Sequence, residues 1–402
     1  MRKYLTILVA ALSVILCSTT FAADWPAFRG PYASGISPET GINKSWKQHP
    51  PKMLWKINMR DDGFAGPCVS NGLMIVIDHR GDDDSVRAIN TSSGKGMWQF
   101  KYSEPGGSNY GFSRSTPTVS AGKVYVASRF GKIFCLSFSN GKKLWERDLA
   151  ASYGGGKPNW DYAWSPLVDG NKVIVLPGGP NAGVVALDAS SGKTLWQGGG
   201  NDKSGYATPV KATINGKAQY VVFTASNLIG VDAGNGHILW GGSWKTNFDV
   251  NAATPIVIGN SVFITSGYGT GCARVGISKS GRASFIWKNK EIQSHFNTPV
   301  ASKGYIYGTT DPGDLVCLDA ATGRAQWRQP GFEKGGVCAV DGTIIAINGA
   351  DGDVVMLSMS PSKFQELGRM KPLGGQSWTA PIVADGKLIV RNKTTVACFS
   401  LK

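Results

Sequence analysis

Two short patterns recur along the sequence at intervals of roughly 40 to 50 residues, a period typical of propellers and solenoids. The first pattern is an apolar stretch, a turn with glycine, and a tryptophan, as in residues 186–196, where Gly192 precedes Trp196. The second is a small or polar residue, a proline, two apolar positions and a glycine turn. Its prolines are Pro67, Pro117, Pro166, Pro209, Pro255, Pro299 and Pro381, and Cys338 occupies the eighth place. Eight copies predict eight structural units.

Each unit is predicted to contain four short antiparallel strands. After Pro117, apolar runs of four to six residues alternate with Gly-Lys and Asn-Gly turns as far as Trp145. Glycine and asparagine tolerate the positive φ of tight hairpin turns. A single four-stranded sheet leaves both faces wet, so the units must pack face to face around an axis. We therefore predict an all-β fold, an eight-bladed β-propeller of four-stranded antiparallel blades over residues 50–402.

The two ends of the repeat array are complementary. The last copy stops at residues 396–401, before its turn and tryptophan. Residues 52–57, with Trp55, precede Pro67, the first proline of the second pattern. An N-terminal strand from these residues would complete the eighth blade and hide the edges that an open ring exposes. The seventh copy lacks its tryptophan and ends near Leu367.

The first 22 residues have the pattern of a secretory signal peptide. Arg2 and Lys3 precede an apolar run over residues 5–16, and small residues lead to Ala22. A retained membrane helix is disfavoured because that run is shorter than the roughly 20 residues that a bilayer requires. Lipid attachment at Cys17 is a third option, which Leu16 disfavours. We expect a periplasmic or secreted protein with an N-terminal extension over residues 23–49 and no integral membrane span after cleavage.

Composition and charge exclude several classes of function. The net charge is +15, and the lysines are scattered through hairpin turns rather than gathered into a block. We therefore expect no nucleic-acid partner, and we expect a monomer. Six cysteines remain after cleavage without a vicinal or C-x-x-C pair, and the four histidines lack metal-ligand spacing. No G-x-S-x-G elbow occurs. The sequence thus indicates no metal site and no catalytic residue, and it leaves disulfide pairing open.

The pattern over residues 318–327, Leu-Asp-x-x-Thr-Gly-x-x-x-Trp, resembles the tryptophan-docking repeat of the pyrroloquinoline-quinone (PQQ)-like propeller family. That family includes quinoprotein alcohol dehydrogenases and the outer-membrane assembly lipoprotein BamB, which binds proteins and no quinone. The resemblance implies a vicinal disulfide, a calcium site and a catalytic aspartate for the enzymes, and none of these maps onto this sequence. We therefore expect no cofactor and favour a BamB-like scaffold for envelope or outer-membrane proteins. A PQQ- and calcium-dependent alcohol or sugar dehydrogenase is the alternative.

Residues that lead into the innermost strands converge on one mouth of a propeller channel, where binding sites commonly lie. Here they are rich in aromatic, amide and guanidinium groups, which suit a planar cofactor, a sugar or an extended peptide. The alternative is that they line and plug the channel. The segment 24–31, Asp-Trp-Pro-Ala-Phe-Arg-Gly-Pro, also resembles the opening of exported proteins of this type whose function is not established. The predicted ligand-binding residues are Arg114, Trp164, Tyr206, Asn251, Asn297 and Trp378.

Overall fold

A computed structural model describes residues 23–60, 62–107 and 110–402. The predicted signal peptide and Cys17 lie outside the described residues. The chain forms eight antiparallel sheets arranged as the blades of a closed propeller, which confirms the predicted fold. None of the described helices has the length and apolar character needed to cross a bilayer.

Each of the first four blades is a sequential four-stranded meander whose first strand is innermost. Blade 1 contains β3 (Cys68–Ser70), β4 (Leu73–Arg80), β5 (Asp83–Asn90) and β6 (Gly96–Ser103). Blade 2 contains β7 (Thr118–Ser120), β8 (Lys123–Ala127), β9 (Lys132–Ser137) and β10 (Lys143–Asp148). Blade 3 contains β11 (Leu167–Asp169), β12 (Lys172–Val175), β13 (Val184–Asp188) and β14 (Thr194–Gly198). Blade 4 contains β15 (Val210–Ile214), β16 (Lys217–Phe223), β17 (Asn227–Asp232) and β18 (Ile238–Ser243).

The remaining blades continue the meander until the chain ends. Blade 5 contains β19 (Ile256–Ile258), β20 (Ser261–Ser266), β21 (Gly271–Ile277) and β22 (Ala283–Asn289). Blade 6 contains β23 (Val300–Ser302), β24 (Tyr305–Thr310), β25 (Asp314–Asp319) and β26 (Ala325–Pro330). Blade 7 contains β27 (Val337–Val340), β28 (Thr343–Ile347), β29 (Val354–Ser358) and β30 (Glu366–Met370). Blade 8 contains β31 (Ile382–Ala384), β32 (Lys387–Arg391) and β33 (Thr395–Ser400).

Two N-terminal strands join the last two blades. Strand β2 (Met53–Asn58) pairs antiparallel with β33 and completes blade 8, as the sequence predicts. Strand β1 (Ile36–Ser37) pairs parallel with the innermost strand of blade 7, an addition that the repeat pattern does not predict. The loops after blades 2 and 4 contain a short helix, α1 (Leu149–Tyr153), and a single 3-10 turn (Asn247–Asp249).

The repeated tryptophans fasten each blade to the next. At five joints the indole N–H donates to a backbone carbonyl of the following blade over 2.7–3.2 Å. At four of these joints the ring also lies against a glycine of that blade's last turn; a Cβ at Gly323, for example, would stand 2.6 Å from the Trp287 ring. This contact explains why glycine and tryptophan recur together in the repeat.

The seventh blade, which lacks its own tryptophan, receives one from the N-terminal extension. Trp46 is buried beside Leu367, in a cluster that also contains residues of blades 7 and 8. A Cβ at Gly368 would lie 2.5 Å from that of Trp46, so only glycine fits there. The extension thus supplies a buried indole where the repeat omits one, although this indole donates to Asn43 of its own segment.

Candidate functional site

The central channel contains a cavity of about 460 Å³, within the range typical of small-ligand sites. Its wall consists of the segments that lead into the innermost strands, and its floor consists of the N-terminal segment from Trp25 to Gly35. The mouth lies on the side where each blade's last strand connects to the next blade.

A belt of aromatic rings surrounds the mouth. Seven successive contacts, with ring centroids 4.6–6.3 Å apart, connect its eight members. This separation is the one that edge-to-face and offset aromatic pairs adopt. Phe248 is 60% exposed and Tyr110 is 49% exposed, so the outer side of the belt faces solvent. In order, the aromatic belt contains Phe64, Trp378, Phe296, His295, Tyr268, Phe248, Trp160 and Tyr110.

The N-terminal segment crosses the channel below this belt. The Trp25 backbone pairs with Val69 in blade 1, and the Pro26 carbonyl accepts the Val119 N–H of blade 2. Arg29 then donates to carbonyls of blade 6, and Ile36 pairs with Ala339 of blade 7. Blades 2 and 6 face each other across an eight-bladed ring, so the segment spans the axis and closes the channel from below.

Arg29 places a positive charge at this floor. Its guanidinium donates to the carbonyls of Ala33, Ser34, Thr298 and Pro299 over 2.7–3.2 Å. Burial lowers the pKa of Arg29 to about 9, so the group stays charged at neutral pH. Gly35, at φ +74°, allows the close approach, since a Cβ there would lie 3.0 Å from the guanidinium. The segment 24–31 singled out in the sequence is therefore the channel floor.

The wall above Arg29 contributes further basic groups. Arg114 lines the cavity and donates to the carbonyls of Trp160 and Gly111, and burial lowers its pKa. Lys334 holds its Nζ 5.5 Å from the Trp378 ring centroid, a cation–π distance. The described residues that line the cavity include no aspartate or glutamate. The described lining of the cavity is therefore basic as well as aromatic.

A hydrogen-bonded row of side chains forms one part of the mouth. The Nδ1 of His295 lies 3.3 Å from the Asp311 carboxylate, and its Nε2 lies 3.1 Å from the Tyr268 hydroxyl. Burial is the main cause that raises the pKa of Tyr268, so this phenol remains protonated. The row orients the two rings and presents polar atoms beside the aromatic faces.

Side-chain hydroxyl groups accept hydrogen bonds from several backbone N–H groups beside the innermost strands. Ser165 Oγ accepts the Thr116 N–H, Thr208 Oγ1 accepts the Ser165 N–H, and Thr298 Oγ1 accepts the Thr254 N–H, over 2.8–2.9 Å. These residues stand immediately before the repeated prolines. The small polar residue of the second sequence pattern thus forms hydrogen bonds between neighbouring blades around the channel.

Four of the six predicted binding residues line the cavity: Arg114, Tyr206, Asn297 and Trp378. The other two are fully buried away from it. Trp164 packs against Tyr162, with ring centroids 5.8 Å apart. Asn251 donates to the carbonyls of Thr224, Ala225 and Trp244. Trp164 and Asn251 therefore stabilise the loops behind the wall, and ligand binding by the other four stays a prediction.

Sequence reasoning missed several residues of the site. Arg29 contacts the cavity from a segment outside the repeats, and Lys334 and Phe296 carry no special spacing in the sequence. Phe248 has a left-handed backbone, φ 63°, which aromatic residues rarely adopt. Phe296 lies next to Asn297, a predicted binding residue, and this adjacency in the sequence is the one available signal.

The donor groups do not fit the calcium site of a quinoprotein dehydrogenase. Calcium prefers carboxylate and amide oxygens, and the cavity wall supplies no carboxylate from the described lining residues. Among the described residues, no group of three or more His, Cys, Asp or Glu side chains is arranged to hold a metal. The six described cysteines are buried and unpaired.

Comparisons with known proteins agree on the architecture. The family model for outer membrane protein assembly factor BamB matches residues 82–329. BamB from Moranella endobia is 24% identical over 250 residues, which cover 58% of this chain and 61% of that protein. The chain thus matches about three fifths of that relative's length.

Solved structures extend the likeness over most of the propeller. BamB from Moraxella catarrhalis superposes with a TM-score of 0.63 at 18% identity, covering 87% of this chain and 99% of that one. A europium-containing methanol dehydrogenase gives a TM-score of 0.69 at 13% identity, covering 94% and 98%. At these identities the two structures show a shared fold and do not distinguish a scaffold from an enzyme.

Proposed function

Because the chain belongs to the outer membrane protein assembly factor BamB family, we propose that it is a non-catalytic scaffold of the cell envelope that binds other proteins. The proposed binding face is the mouth of the propeller. Membership of this family rests on the family model, which matches more than half of the chain. Export to the periplasm and a role with outer-membrane proteins are parts of the same proposal.

We propose the mouth as the binding face because one side of the aromatic belt is exposed there. Tyr110, Phe248 and Tyr268 are 37–60% exposed and adjacent to the same opening. Contiguous exposed apolar groups of this kind mark interaction sites, and aromatic side chains are enriched at protein interfaces. A rigid closed ring presents these loops in a fixed arrangement, which suits a scaffold.

Photo-crosslinking from the mouth tests this proposal. The purified chain is incubated with envelope proteins of the same organism, and cross-linked partners are identified by mass spectrometry. We expect Phe248→Ser combined with Tyr268→Ser to remove the specific partners. Ile286→Ser is the matched control, since Ile286 is 52% exposed on the outer strand of blade 5. An unchanged partner set in the double variant would refute binding at the mouth.

The dehydrogenase alternative is tested by adding PQQ with calcium. Quinone absorbance on the purified protein, a rise in melting temperature and dye-linked oxidation of an alcohol or sugar would together overturn the scaffold proposal. We expect none of the three signals, because the wall lacks the carboxylates that would hold calcium beside a quinone.

A further inference from the structure

The charge distribution of the cavity points to an anionic ligand. Arg29, Arg114 and Lys334 all line it, at the floor and on the wall, and the described lining residues contain no carboxylate. Within the described parts of the chain, Arg29 donates to four backbone carbonyls and to no carboxylate. Carbonyls satisfy hydrogen bonds but leave the positive charge uncompensated, and a narrow cavity with apolar walls concentrates the resulting field.

Lys334 is a second cation of the cavity wall. It is half-buried, its Nζ lies over the Trp378 ring, and it forms no ion pair with a described residue. An anion bound beside Trp378 would gain a charge-assisted hydrogen bond from this ammonium group without breaking an existing pair. Substitution of Lys334 therefore tests the role of the cavity's positive charge without breaking an ion pair of the fold.

The shape of the wall favours a ring-shaped ligand. Trp160, Phe296 and Trp378 are partly exposed and present aromatic faces toward one cavity. The apolar C–H face of a pyranose ring stacks on such surfaces, while its hydroxyl groups reach polar atoms at their edges. Tyr206 and the His295–Tyr268 pair supply polar atoms at this level.

The wall is a poor surface for an extended peptide. A peptide that adds to a sheet uses free backbone groups at a strand edge. Here hydroxyls of the next blade already accept the N–H groups of Thr116, Ser165 and Thr254. The innermost strand of blade 7 is paired with β1 of the same chain. What the cavity offers instead is aromatic faces and side-chain cations.

We propose that the channel cavity binds a short carboxylate-bearing oligosaccharide, a chain of uronate units, through the aromatic belt and the cations Lys334, Arg114 and Arg29. The sugar rings stack on the wall, and the carboxylates turn toward the basic groups. A cavity of about 460 Å³ that is closed below by residues 25–37 accepts a short ligand or the end of a longer chain. This inference concerns the inside of the channel and goes beyond the scaffold function proposed for its mouth.

Isothermal titration calorimetry with three probes tests the proposal. The probes are trigalacturonate, its fully methyl-esterified form and maltotriose. We expect trigalacturonate to bind, to quench tryptophan fluorescence from Trp160 and Trp378, and to weaken as salt is raised. The methyl ester and the neutral trisaccharide should bind at least about tenfold more weakly, since each loses its charge-assisted contacts. Equal binding of the ester, or no binding of trigalacturonate, would overturn the inference.

Two variants locate the site. Lys334→Gln should weaken trigalacturonate binding about tenfold, which is the loss expected for one charged contact. Lys193→Gln is the matched control, because it removes the same charge from an exposed turn outside the cavity. Unchanged binding by Lys334→Gln would place the sugar elsewhere and refute the site.

An acidic peptide of equal charge completes the test. Tighter binding of triglutamate than of trigalacturonate, weakened by Lys334→Gln, would show that the cavity takes a peptide and would overturn the sugar assignment. These measurements need no partner protein. Failure here therefore leaves the crosslinking result at Phe248 and Tyr268 unaffected, and the two proposals fail separately.

Discussion

At the scale of single residues, Glu104 is a buried group whose ionisation affects stability. It is 1% exposed, and its carboxylate lies 3.9 Å from the Nε of the buried Arg129. Arg129 also lies 3.6 Å from Asp161, so it has a second carboxylate partner. Burial, reinforced by the nearby Asp84, raises the pKa of Glu104 from its ordinary value of 4.5 to about 7, against the lowering effects of Ser128 and Arg129.

The raised pKa of Glu104 predicts a pH-dependent stability. The folded state holds this proton more tightly than the unfolded chain, so the stabilisation is complete below pH 4.5 and is lost as the pH rises through about 7. Glu104→Gln should therefore gain about 3 kcal/mol of unfolding free energy relative to the wild type between pH 4.5 and pH 8. Urea denaturation at both pH values measures the difference. Glu146→Gln, at an exposed glutamate, should show no such trend; a Glu104→Gln difference that is flat with pH would contradict the prediction.

At the scale of the blades, the joints between neighbours determine the stability of the ring. A standard joint, such as that of Trp287, combines an indole hydrogen bond, a ring packed on glycine and the apolar faces of two sheets. The joints are unequal, however. Trp240 donates to Gln219 inside its own blade, and Trp244 donates to Ser266 of blade 5 instead. The blade 4 to blade 5 joint therefore uses a different tryptophan.

Gly323→Ala tests the standard joint against a matched control. Gly323 and Gly342 have nearly equal positive φ values, 72° and 74°, but only Gly323 faces a tryptophan ring, and a Cβ at Gly342 would meet nothing within 4 Å. Gly342→Ala should cost about 1 kcal/mol through backbone strain alone. Gly323→Ala should cost about 1 to 3 kcal/mol more because it displaces Trp287. Chemical denaturation measures both, and equal losses would show that the ring contact is unimportant.

Structural features that recur in the repeats could be predicted from the sequence. Features that occur only once could not. The eight blades, the seventh blade's missing tryptophan and the closing strand follow from positions that recur. Trp46 and Arg29 stabilise the same ring through contacts that occur once, far from each other in the sequence. Asn251 and Asn297 show the limit of prediction for a single residue. Both side-chain amides donate to backbone carbonyls, and only the fold determines that Asn297 lines the cavity.

At the scale of the whole molecule, the ring is closed by pairing between the two ends of the described chain. Strand β2 pairs with β33 over Met53 to Asn58, and Trp55 docks on Thr91 of blade 1. The same few residues thus complete blade 8 and join it to blade 1. The N-terminal segment adds a second closure through β1 and the channel floor.

Deletion of residues 52–58 should therefore destabilise the ring by more than about 3 kcal/mol, the loss expected for removing a buried tryptophan alone. It also leaves β33 with an unpaired edge that favours aggregation. Thermal unfolding and light scattering measure the two effects. Met53→Ala, at a residue 43% exposed on the same strand, should melt close to the wild type. A truncated chain that melts like the full one would contradict the role given to β2.

The pairing of β2 with β33 also fixes when folding can finish. Strand β2 is among the first parts of the propeller to be synthesised, and its partner is the last strand of the chain. At ordinary rates of translation the two are separated by tens of seconds. During that interval the backbone of β2 lacks its partner strand in blade 8. The order of the strands therefore makes closure of the ring the last step of folding, because blade 8 cannot be completed until β33 exists.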